Sequence, residues 1–341
     1  MAQKGFFKRH GYAVAFTLVL LCMTAYVMLD TFVLPHAVAA GTATTMVVEA
    51  SAAETTAAEP AAVETAQATA PDGAVSQAAA AAEAGTSSAV AETGEPVVTD
   101  SSYSGNGVNI VITTVRVSNT TAYVADVQLS SADSLRTALA ENTYGTNITQ
   151  TTSNMAEENG AILAVNGDYY GANKRGYVIK NGVLYRDTVR QSEDTQDLAI
   201  YADGAFAIID ETEVSAQELI DSGVVQLFAF GPALVENGEV AVSSSDEVSR
   251  AKTSNPRTAI GIIDELHYII VVSDGRTSES EGLSLLELAK LMQSCGCETA
   301  YNLDGGGSST MVFNGVVINN PTTNGSKITE RAVSDIVYIA A

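Results

Sequence analysis

Alternation of apolar and polar side chains marks the start of the folded part of the chain. Residues 108–117 and 123–129 alternate in this way, as strands do when only one face is buried. Shorter apolar runs at residues 161–165, 258–263 and 267–272 predict three more strands. The pattern therefore predicts a β-rich domain that begins near residue 104.

Two-residue turn signals separate several of these apolar runs. Asn-Gly and Asp-Gly pairs between apolar runs are the strongest short-range signal for a β-hairpin. The pairs are Asn181-Gly182, Asp203-Gly204, Asn237-Gly238 and Asn314-Gly315. They predict four hairpins.

Helical spacing is confined to three segments, at residues 134–141, 215–221 and 284–295. In the last segment Ser284 and Glu287 have the spacing of a capping box. Its apolar residues fall on one helical face, which predicts core packing; they are Leu285, Leu288, Ala289 and Met292. Many hairpins with a few helices predict an α+β fold with a mixed, largely antiparallel sheet.

The N-terminal part has a different pattern. Residues 1–12 are basic and predict a cytoplasmic tail, whereas residues 13–35 are almost wholly apolar and long enough for a transmembrane anchor. A cleaved signal peptide is the alternative, although the apolar run is long for one. The sequence thus predicts a single-pass cell-membrane protein whose N-terminus is cytoplasmic and whose catalytic domain is extracellular.

Residues 36–103 are rich in Ala, Thr and Glu and contain no Lys or Arg. Such a segment buries too little apolar surface to order itself, and its like charges keep it extended. We therefore expect a disordered stalk, followed by one catalytic domain over residues 104–341.

Charge and histidine content exclude several classes of function. The formal net charge of -23 makes nucleic acid an unfavourable partner. Of the three His, only His267 lies in the folded domain, which disfavours Ser-His-Asp, Cys-His and His-rich metal sites. No cofactor is predicted; a hard divalent cation such as Ca²⁺ at the Asp residues is the alternative, since such ions need only oxygen ligands. The chemistry is left to Asp, Glu, Arg, Asn and glycine backbone.

The stretch NLDGGGSSTMVF, residues 302–313, is the strongest candidate for the centre of a site. Glycines allow backbone N–H groups to converge on an anion. A carboxylate beside such a loop suits acid/base work on an anionic substrate, and a tight turn with a capping Asp is the alternative. The polar and glycine residues of this stretch are Asn302, Asp304, Gly305, Gly306, Gly307, Ser308 and Ser309.

Three more segments bring polar residues to strand ends. AVNGDYYG supplies Asn166 and Asp168, NPRTAIG supplies Arg257, and VVSDGRT supplies Asp274 and Arg276. Taken singly, these are ordinary turn residues or surface ion pairs. Together they indicate an anion-binding carboxylate site, because arginine forks match phosphate geometry.

A family resemblance rests on several segments in order. NPRTAIG, SDGR, EGLSLLELAKLM, AYNLDGGGSSTMVFNG and ERAVSDIVYI, preceded by AVNGDYYG, GYVIKNGVLYR and FGPALVENG, resemble the phosphodiester glycosidase family over most of residues 105–341. The resemblance implies hydrolysis of a sugar joined through its anomeric carbon to a phosphodiester. It extends to every candidate above except Asp168, where many relatives have glycine. The anchor and stalk lie outside it and look bacterial.

These arguments give each residue an expected role. The catalytic candidates are Asp304 first, then Asp274 and Asn166, with water activation or stabilisation of an oxocarbenium-like sugar as the task. The substrate- and phosphate-binding candidates are Arg257, Arg276, Asn302, Gly305, Gly306, Gly307, Ser308, Ser309 and Asp168.

The expected function is hydrolysis of a sugar-1-phosphodiester glycan of the cell envelope or exopolysaccharide by a membrane-anchored extracellular domain. The alternatives are a phosphodiesterase that cuts the other P–O bond and a non-catalytic module that binds anionic surface glycans. The sugar, the aglycone, the stereochemical outcome and the oligomeric state are open at this point.

Overall fold

The computed structural model describes residues 3–32, 34–37, 95–191, 195–244 and 254–340. The α-helices are α1 (Gln3–Phe32), α2 (Thr152–Glu158), α3 (Ala216–Asp221) and α4 (Leu285–Ser294). The strands are β1 (His36–Ala37), β2 (Val97–Val98), β3 (Ser102–Gly105), β4 (Val108–Val117), β5 (Thr120–Leu129), β6 (Leu135–Leu139), β7 (Gly145–Thr146), β8 (Leu163–Asn166), β9 (Val178–Lys180), β10 (Val183–Arg186), β11 (Gln196–Tyr201), β12 (Phe206–Asp210), β13 (Val224–Phe228), β14 (Ala233–Glu236), β15 (Glu239–Val240), β16 (Arg257–Asp264), β17 (His267–Ser273), β18 (Thr299–Leu303), β19 (Met311–Phe313), β20 (Val316–Val317) and β21 (Asp335–Ile339).

Two sheets carry most of these strands. The large sheet has the order β15-β14-β18-β16-β17-β5-β4-β3-β2, and the small sheet has the order β20-β19-β8-β21-β6. Within both sheets the described pairs are antiparallel. The predicted α+β class with a largely antiparallel sheet is confirmed.

The central strands of the large sheet are apolar without interruption because both of their faces are buried. In β17, Ile270 and Val272 belong to the core between the two sheets, whereas Ile269 and Val271 pack on the side of α4 with Leu288. A strand that is buried on both faces loses the alternation of a half-buried strand. Residues 267–272 form a continuous apolar run for this reason.

The small sheet closes the other side of the core. Leu163 and Val165 of β8 point into the core between the sheets, and Ala164 packs with Met155 of α2 on the outer face. The layers are therefore α4, the large sheet, the small sheet and α2. The site described below lies where the two sheets meet.

The local turn and cap signals predicted most connections correctly. The three predicted Asn-Gly hairpins join β9 to β10, β14 to β15, and β19 to β20, with positive φ at both turn residues; two-residue hairpins of type I′ require this. Asp203-Gly204 lies in the loop between β11 and β12. Helices α3 and α4 begin with capping boxes, the second formed by Ser284 and Glu287 as predicted.

The predicted helix at residues 134–141 is wrong. This segment forms a 3-10 turn and then strand β6, which pairs with β21 from Leu135↔Ile339 to Leu139↔Asp335. Leu135 and Thr137 are buried and Arg136 between them is exposed, so the segment alternates as a strand does. Helix α2, which has Thr151 as its N-cap, was not predicted.

The N-terminal region differs in part from the prediction. Helix α1 covers most of the predicted tail and anchor, but within the described residues no helix is both long and apolar enough to cross a membrane. Residues 38–94 of the predicted stalk lie outside the described residues. Residues 95–103, also assigned to the stalk, contribute β2 and the start of β3, and Tyr103 is buried in the core. The folded domain therefore begins earlier than predicted.

Leu288→Ala should destabilise the domain by about 2–5 kcal/mol, because a fully buried leucine leaves a cavity when it is truncated. Leu288 has no exposed surface and packs between α4 and the large sheet. Urea unfolding followed by circular dichroism measures the change. The control is Lys290→Ala on the exposed face of the same helix, with an expected change within about 0.5 kcal/mol. Equal stability of the two variants would contradict the packing of α4.

Candidate active site

Asn166 joins the two sheets at the point where the candidate residues converge. It ends β8 in the small sheet and is fully buried. Its Oδ1 accepts from Thr258 Oγ1 of the large sheet at 2.8 Å and from Thr310 N at 3.3 Å. Its Nδ2 donates to the backbone oxygen of Asp304 at 2.6 Å. Because protein groups occupy both ends of the amide, the geometry favours a positioning role for Asn166 over a catalytic one.

Asp304 follows β18 directly and is the buried carboxylate of the site, with 7% of its surface exposed. Its Oδ2 accepts from Ser308 Oγ at 2.6 Å and from Arg331 Nη2 at 3.0 Å. Burial raises the pKa of the Asp304 carboxyl above its ordinary value, and the Arg331 cation and the Ser308 hydroxyl oppose the rise. A carboxyl group tuned in this way can exchange protons closer to neutral pH.

Arg331 is a site residue that sequence reasoning missed. Its Nη2 also lies 2.7 Å from Ser308 Oγ and 3.2 Å from the backbone oxygen of Gly305. Its side chain is 41% exposed, so it touches both the buried carboxylate and solvent. Arg331 lies in the segment ERAVSDIVYI, which carries part of the family resemblance. A single arginine before a strand, however, does not indicate which loop its side chain contacts.

The three glycines have no room for a side chain, because other residues lie close to each of them. A Cβ on Gly305 would lie 2.9 Å from the oxygen of Pro256, and one on Gly306, which has φ of +63°, would lie 2.9 Å from Arg276 Nη2. A Cβ on Gly307 would strike Thr323. The glycine loop is therefore packed between the segment that precedes β16 and the loop that follows β20.

The expected cradle of glycine amides is corrected in part. The amide of Gly306 donates to Pro256 O at 2.8 Å. This amide therefore holds the loop in place and is not available to an anion. We conclude that the arginines, more than the amides, provide the positive charge.

Arg276 and Arg257 both lie against the glycine loop. Arg276 donates through Nη2 to Asn255 Oδ1 at 3.0 Å and through Nη1 to the backbone oxygen of Thr323. Burial lowers the pKa of Arg276, and the nearby Arg331 cation lowers it further. Arg257 is buried beside Gly305 and donates through Nε to Leu283 O at 3.0 Å. The structure thus brings both predicted arginines to the predicted loop.

Asp274 is held by the loop that follows β20. Its Oδ1 accepts from Asn320 N at 2.7 Å and its Oδ2 from Asn320 Nδ2 at 2.9 Å. The neighbouring Asn319 donates to the backbone oxygen of Ser309 at 2.9 Å. Asp274 therefore positions this loop against the end of the glycine motif, and the geometry favours this role over that of a second catalytic acid.

Asn302 and Ser309 are buried next to Asp304 and the glycines. Asn302 Nδ2 donates to Gly231 O at 2.7 Å. Within the described part of the chain, Asn302 Oδ1 and Ser309 Oγ have no hydrogen-bond partner although they are buried. Buried polar atoms of this kind often have a water or ligand partner in solution.

Asp168, which was expected to bind substrate, instead belongs to a buried charge cluster. Its Oδ1 accepts from Tyr170 N at 2.9 Å and its Oδ2 from Ala229 N at 3.2 Å. The Lys180 ammonium lies 3.4 Å from Asp168 Oδ2 and 2.7 Å from Asp335 Oδ2. These groups are buried, which gives Asp168 a structural role.

One cation is shared by two buried carboxyl groups, and the ionisation of Asp335 is perturbed. Burial and the neighbouring Asp168 raise the pKa of Asp335 to about 7, against the pull of Lys180. Asp335 Oδ1 would lie 2.5 Å from a Cβ on Gly167, whose backbone oxygen accepts from Asp304 N at 3.2 Å. The cluster of Asp168, Lys180 and Asp335 therefore packs against Gly167, which in turn holds the backbone of Asp304. Among the described residues, no group of three His, Cys, Asp or Glu could hold a metal ion.

The chain is similar to known proteins in sequence. A family model described as phosphodiester glycosidase matches residues 159–340. The SPbeta prophage-derived uncharacterized protein YomE of Bacillus subtilis is 30% identical over 239 residues, which are 69% of this chain and 36% of that protein. N-acetylglucosamine-1-phosphodiester alpha-N-acetylglucosaminidase of Mus musculus is 32% identical over 123 residues, 32% of this chain and 24% of the mouse protein. The match thus spans about a third or less of these relatives.

A solved structure shares the fold. The catalytic domain of zebrafish N-acetylglucosamine-1-phosphodiester alpha-N-acetylglucosaminidase, auto-inhibited by its pro-peptide, superimposes with a TM-score of 0.54 at 22% identity. The superposition covers 69% of this chain and 83% of the zebrafish chain.

Asp335→Asn should flatten the pH dependence of the free energy of unfolding between pH 5 and pH 8. The pKa of this carboxyl is about 7 in the folded chain, above the ordinary 3.8, so the folded state holds the proton more tightly. The stability that this group contributes is present below the ordinary pKa and is lost as the pH rises through 7.

Urea unfolding of both proteins at pH 5, 6, 7 and 8 measures the slope. The matched control is Asp133→Asn at an exposed carboxyl, which should leave the wild-type slope in place. A wild-type slope in Asp335→Asn would show that the buried cluster does not titrate in this range.

Proposed function

Because the chain belongs to the phosphodiester glycosidase family, we propose that it hydrolyses the bond between the anomeric carbon of a sugar and a phosphodiester. The observation that carries this proposal is the grouping of a buried carboxylate, Asp304, with Arg331 and Arg276 around one glycine loop. The products are a free sugar and a phosphomonoester.

The two more exposed arginines supply a site for the phosphodiester. Arg331 contacts Gly305 and Arg276 approaches Gly306, so their guanidinium groups lie on neighbouring residues of the loop. Two cations held near each other repel, and a bound anion relieves this repulsion. Guanidinium forks also match the paired oxygens of a phosphate.

Asp304 is the group that acts at the sugar. As water forms a bond to the anomeric carbon, the bond from that carbon to the phosphate oxygen breaks and its electrons leave with the phosphate. Asp304 accepts a proton from the water or stabilises the positive charge on the oxocarbenium-like sugar. The phosphate is a good leaving group, so positioned cations can replace much of the work of a general acid.

Asp304→Asn should lower kcat by about 10²- to 10⁴-fold, the range for loss of a positioned acid/base group. The substitution keeps the shape of the side chain and an acceptor for Ser308, so the fold should survive. The substrate is a synthetic methyl ester of a sugar 1-phosphate, tested across a panel of sugars. Phosphorus NMR follows the appearance of methyl phosphate.

The same assay separates the alternatives. Asp203→Asn, an exposed change in the loop between β11 and β12, is the matched control and should retain wild-type turnover. If the wild type releases methanol and sugar 1-phosphate, the enzyme is a phosphodiesterase. If it binds the ester without cleaving it, the domain is a binding module. Near-wild-type turnover by Asp304→Asn would remove this residue from the mechanism.

We also propose that the domain acts outside the cell on a phosphodiester-linked glycan of the envelope or exopolysaccharide, held by the apolar N-terminal segment. Support comes from Lys4, Lys8 and Arg9, which precede the apolar residues, since basic residues stay on the cytoplasmic side. Large apolar side chains of α1 are exposed, among them Phe16 and Leu21, and exposed apolar surface of this extent needs a partner.

Protease added to intact protoplasts should remove a tag placed at the C-terminus, and the full chain should sediment with membranes. A variant that lacks residues 1–35 should lose this association. Recovery of the full chain in the soluble fraction, or protection of the tag until the cells are lysed, would contradict the proposed location. A cytoplasmic marker protein serves as the control for lysis.

A further inference from the structure

A basic cleft lies between the segment that follows β8 and the segment that follows β13. Its volume is about 540 Å³. It is lined by Tyr169, Asn173, Lys174, Arg175, Arg190, Gln191, Ala229 and Phe230. Among these described residues, three side chains are cationic and none is acidic, which is unusual in a chain with a formal net charge of -23. The reaction proposed above uses none of them.

The positive charge of this region is concentrated in sequence as well as in space. Of the 17 Lys and Arg in the chain, five lie between residues 174 and 190, namely Lys174, Arg175, Lys180, Arg186 and Arg190. Lys180 is buried, whereas Lys174 and Arg175 are exposed at the cleft. A concave surface of one charge raises the local concentration of the opposite ion.

Arg190 gives the cleft a fixed wall. It forms ion pairs with Asp197 and with Glu211, and its Nη1 donates to Ala229 O at 2.9 Å. Arg190 therefore ties the segment before β11 to residues 229–230. These buried carboxylates already bind Arg190. Among the described residues of the lining, the other cations are Lys174 and Arg175, and Arg175 Nη1 also donates to Val189 O at 3.4 Å.

Aromatic surface accompanies the charge. Tyr169 is 47% exposed, and Phe230 is partly buried on the opposite segment. Exposed aromatic side chains offer flat apolar surface, on which the apolar face of a sugar ring can pack. A cleft that combines this surface with two exposed cations suits a glycan that carries negative charge.

Two short segments connect the cleft to Asp304. Tyr169 lies two residues after Gly167, whose oxygen accepts from Asp304 N at 3.2 Å. On the other wall Phe230 adjoins Gly231, whose oxygen accepts from Asn302 Nδ2 at 2.7 Å. Both walls of the cleft are therefore within two residues of backbone groups that hydrogen-bond to Asp304 or Asn302.

We propose that this cleft binds a second phosphodiester group of the same glycan, and hence that the substrate is a polyanionic chain of sugar-phosphate repeats. The proposal rests on the proposed function for the reaction at Asp304. Lys174 and Arg175 pair with the phosphate of the neighbouring repeat, and Tyr169 packs against its sugar. The wild type then prefers an oligomer over a substrate with a single phosphodiester.

The test uses the double variant Lys174→Glu/Arg175→Glu and two substrates in the full chain. One substrate is the methyl ester of a sugar 1-phosphate, and the other is an oligomer of at least three sugar-1-phosphate repeats of the same sugar. The variant should lose at least tenfold in kcat/KM on the oligomer, mainly through KM, and stay within twofold of wild type on the methyl ester. The wild-type preference for the oligomer should also shrink as salt rises.

The matched control is Arg136→Glu/Lys290→Glu, which makes the same change in net charge at exposed residues outside the cleft lining. An equal loss in the control would assign the effect to overall charge and overturn the proposal. So would an unchanged oligomer preference in Lys174→Glu/Arg175→Glu, and in that case the proposed function would stand.

Binding of the oligomer, measured by calorimetry, separates the two proposals. Suppose that the wild type cleaves neither substrate but binds the oligomer through Lys174 and Arg175. This result would overturn the proposed hydrolysis and support the proposed binding of a polyanionic chain in the cleft. A wild type that neither cleaves nor binds the oligomer would overturn both.

Discussion

The rest of the site depends on the amide of Asn166. It is a fully buried side chain, and a polar group without partners at that depth is costly. Its acceptor oxygen binds Thr258 of the large sheet, and its donor binds the backbone of Asp304. One side chain thus connects the two sheets and holds the backbone of the residue that follows β18. The position of Asp304 therefore depends on how the two sheets pack together. The loops then add Ser308, Arg276 and Arg331 around it.

Burial of acids in an acidic chain is the second constraint. Most buried carboxylates of the region pair with a cation: Asp304 with Arg331, Asp168 and Asp335 with Lys180, and Asp197 and Glu211 with Arg190. Asp274 is satisfied by the amides of Asn320 instead. An isolated buried charge would take up a proton or unfold its surroundings. Two arginines of the site, Arg331 and Arg276, also reach solvent. They offer positive charge to a substrate although the chain as a whole is strongly negative.

Short sequence motifs correctly predicted the elements whose structure depends on neighbouring residues. The Asn-Gly hairpins, the capping box of α4 and the continuous strands β16 and β17 were all visible in sequence. Strand β6 was not, because it is a strand only through its pairing with β21, about 200 residues later. The same limit applies to the site. Asp304, Arg257 and Arg276 could be chosen by residue type, but Arg331 could not, because nothing near it in sequence indicates the glycine loop. The amide of Gly306 was misjudged for a related reason, since its partner is the distant Pro256.

The contact between Asp304 and Arg331 also bears on how substrate binding would prepare the reaction. In the free site Arg331 lies 3.0 Å from Asp304 Oδ2 and holds down a pKa that burial raises. On the proposed function, a phosphodiester bound by Arg276 and Arg331 shares that guanidinium with the carboxylate. The stabilisation of the ionised carboxylate then weakens, and the pKa of Asp304 rises further. A carboxylate with a higher pKa is a stronger base toward water, so anion binding and activation of the nucleophile would be coupled through one arginine.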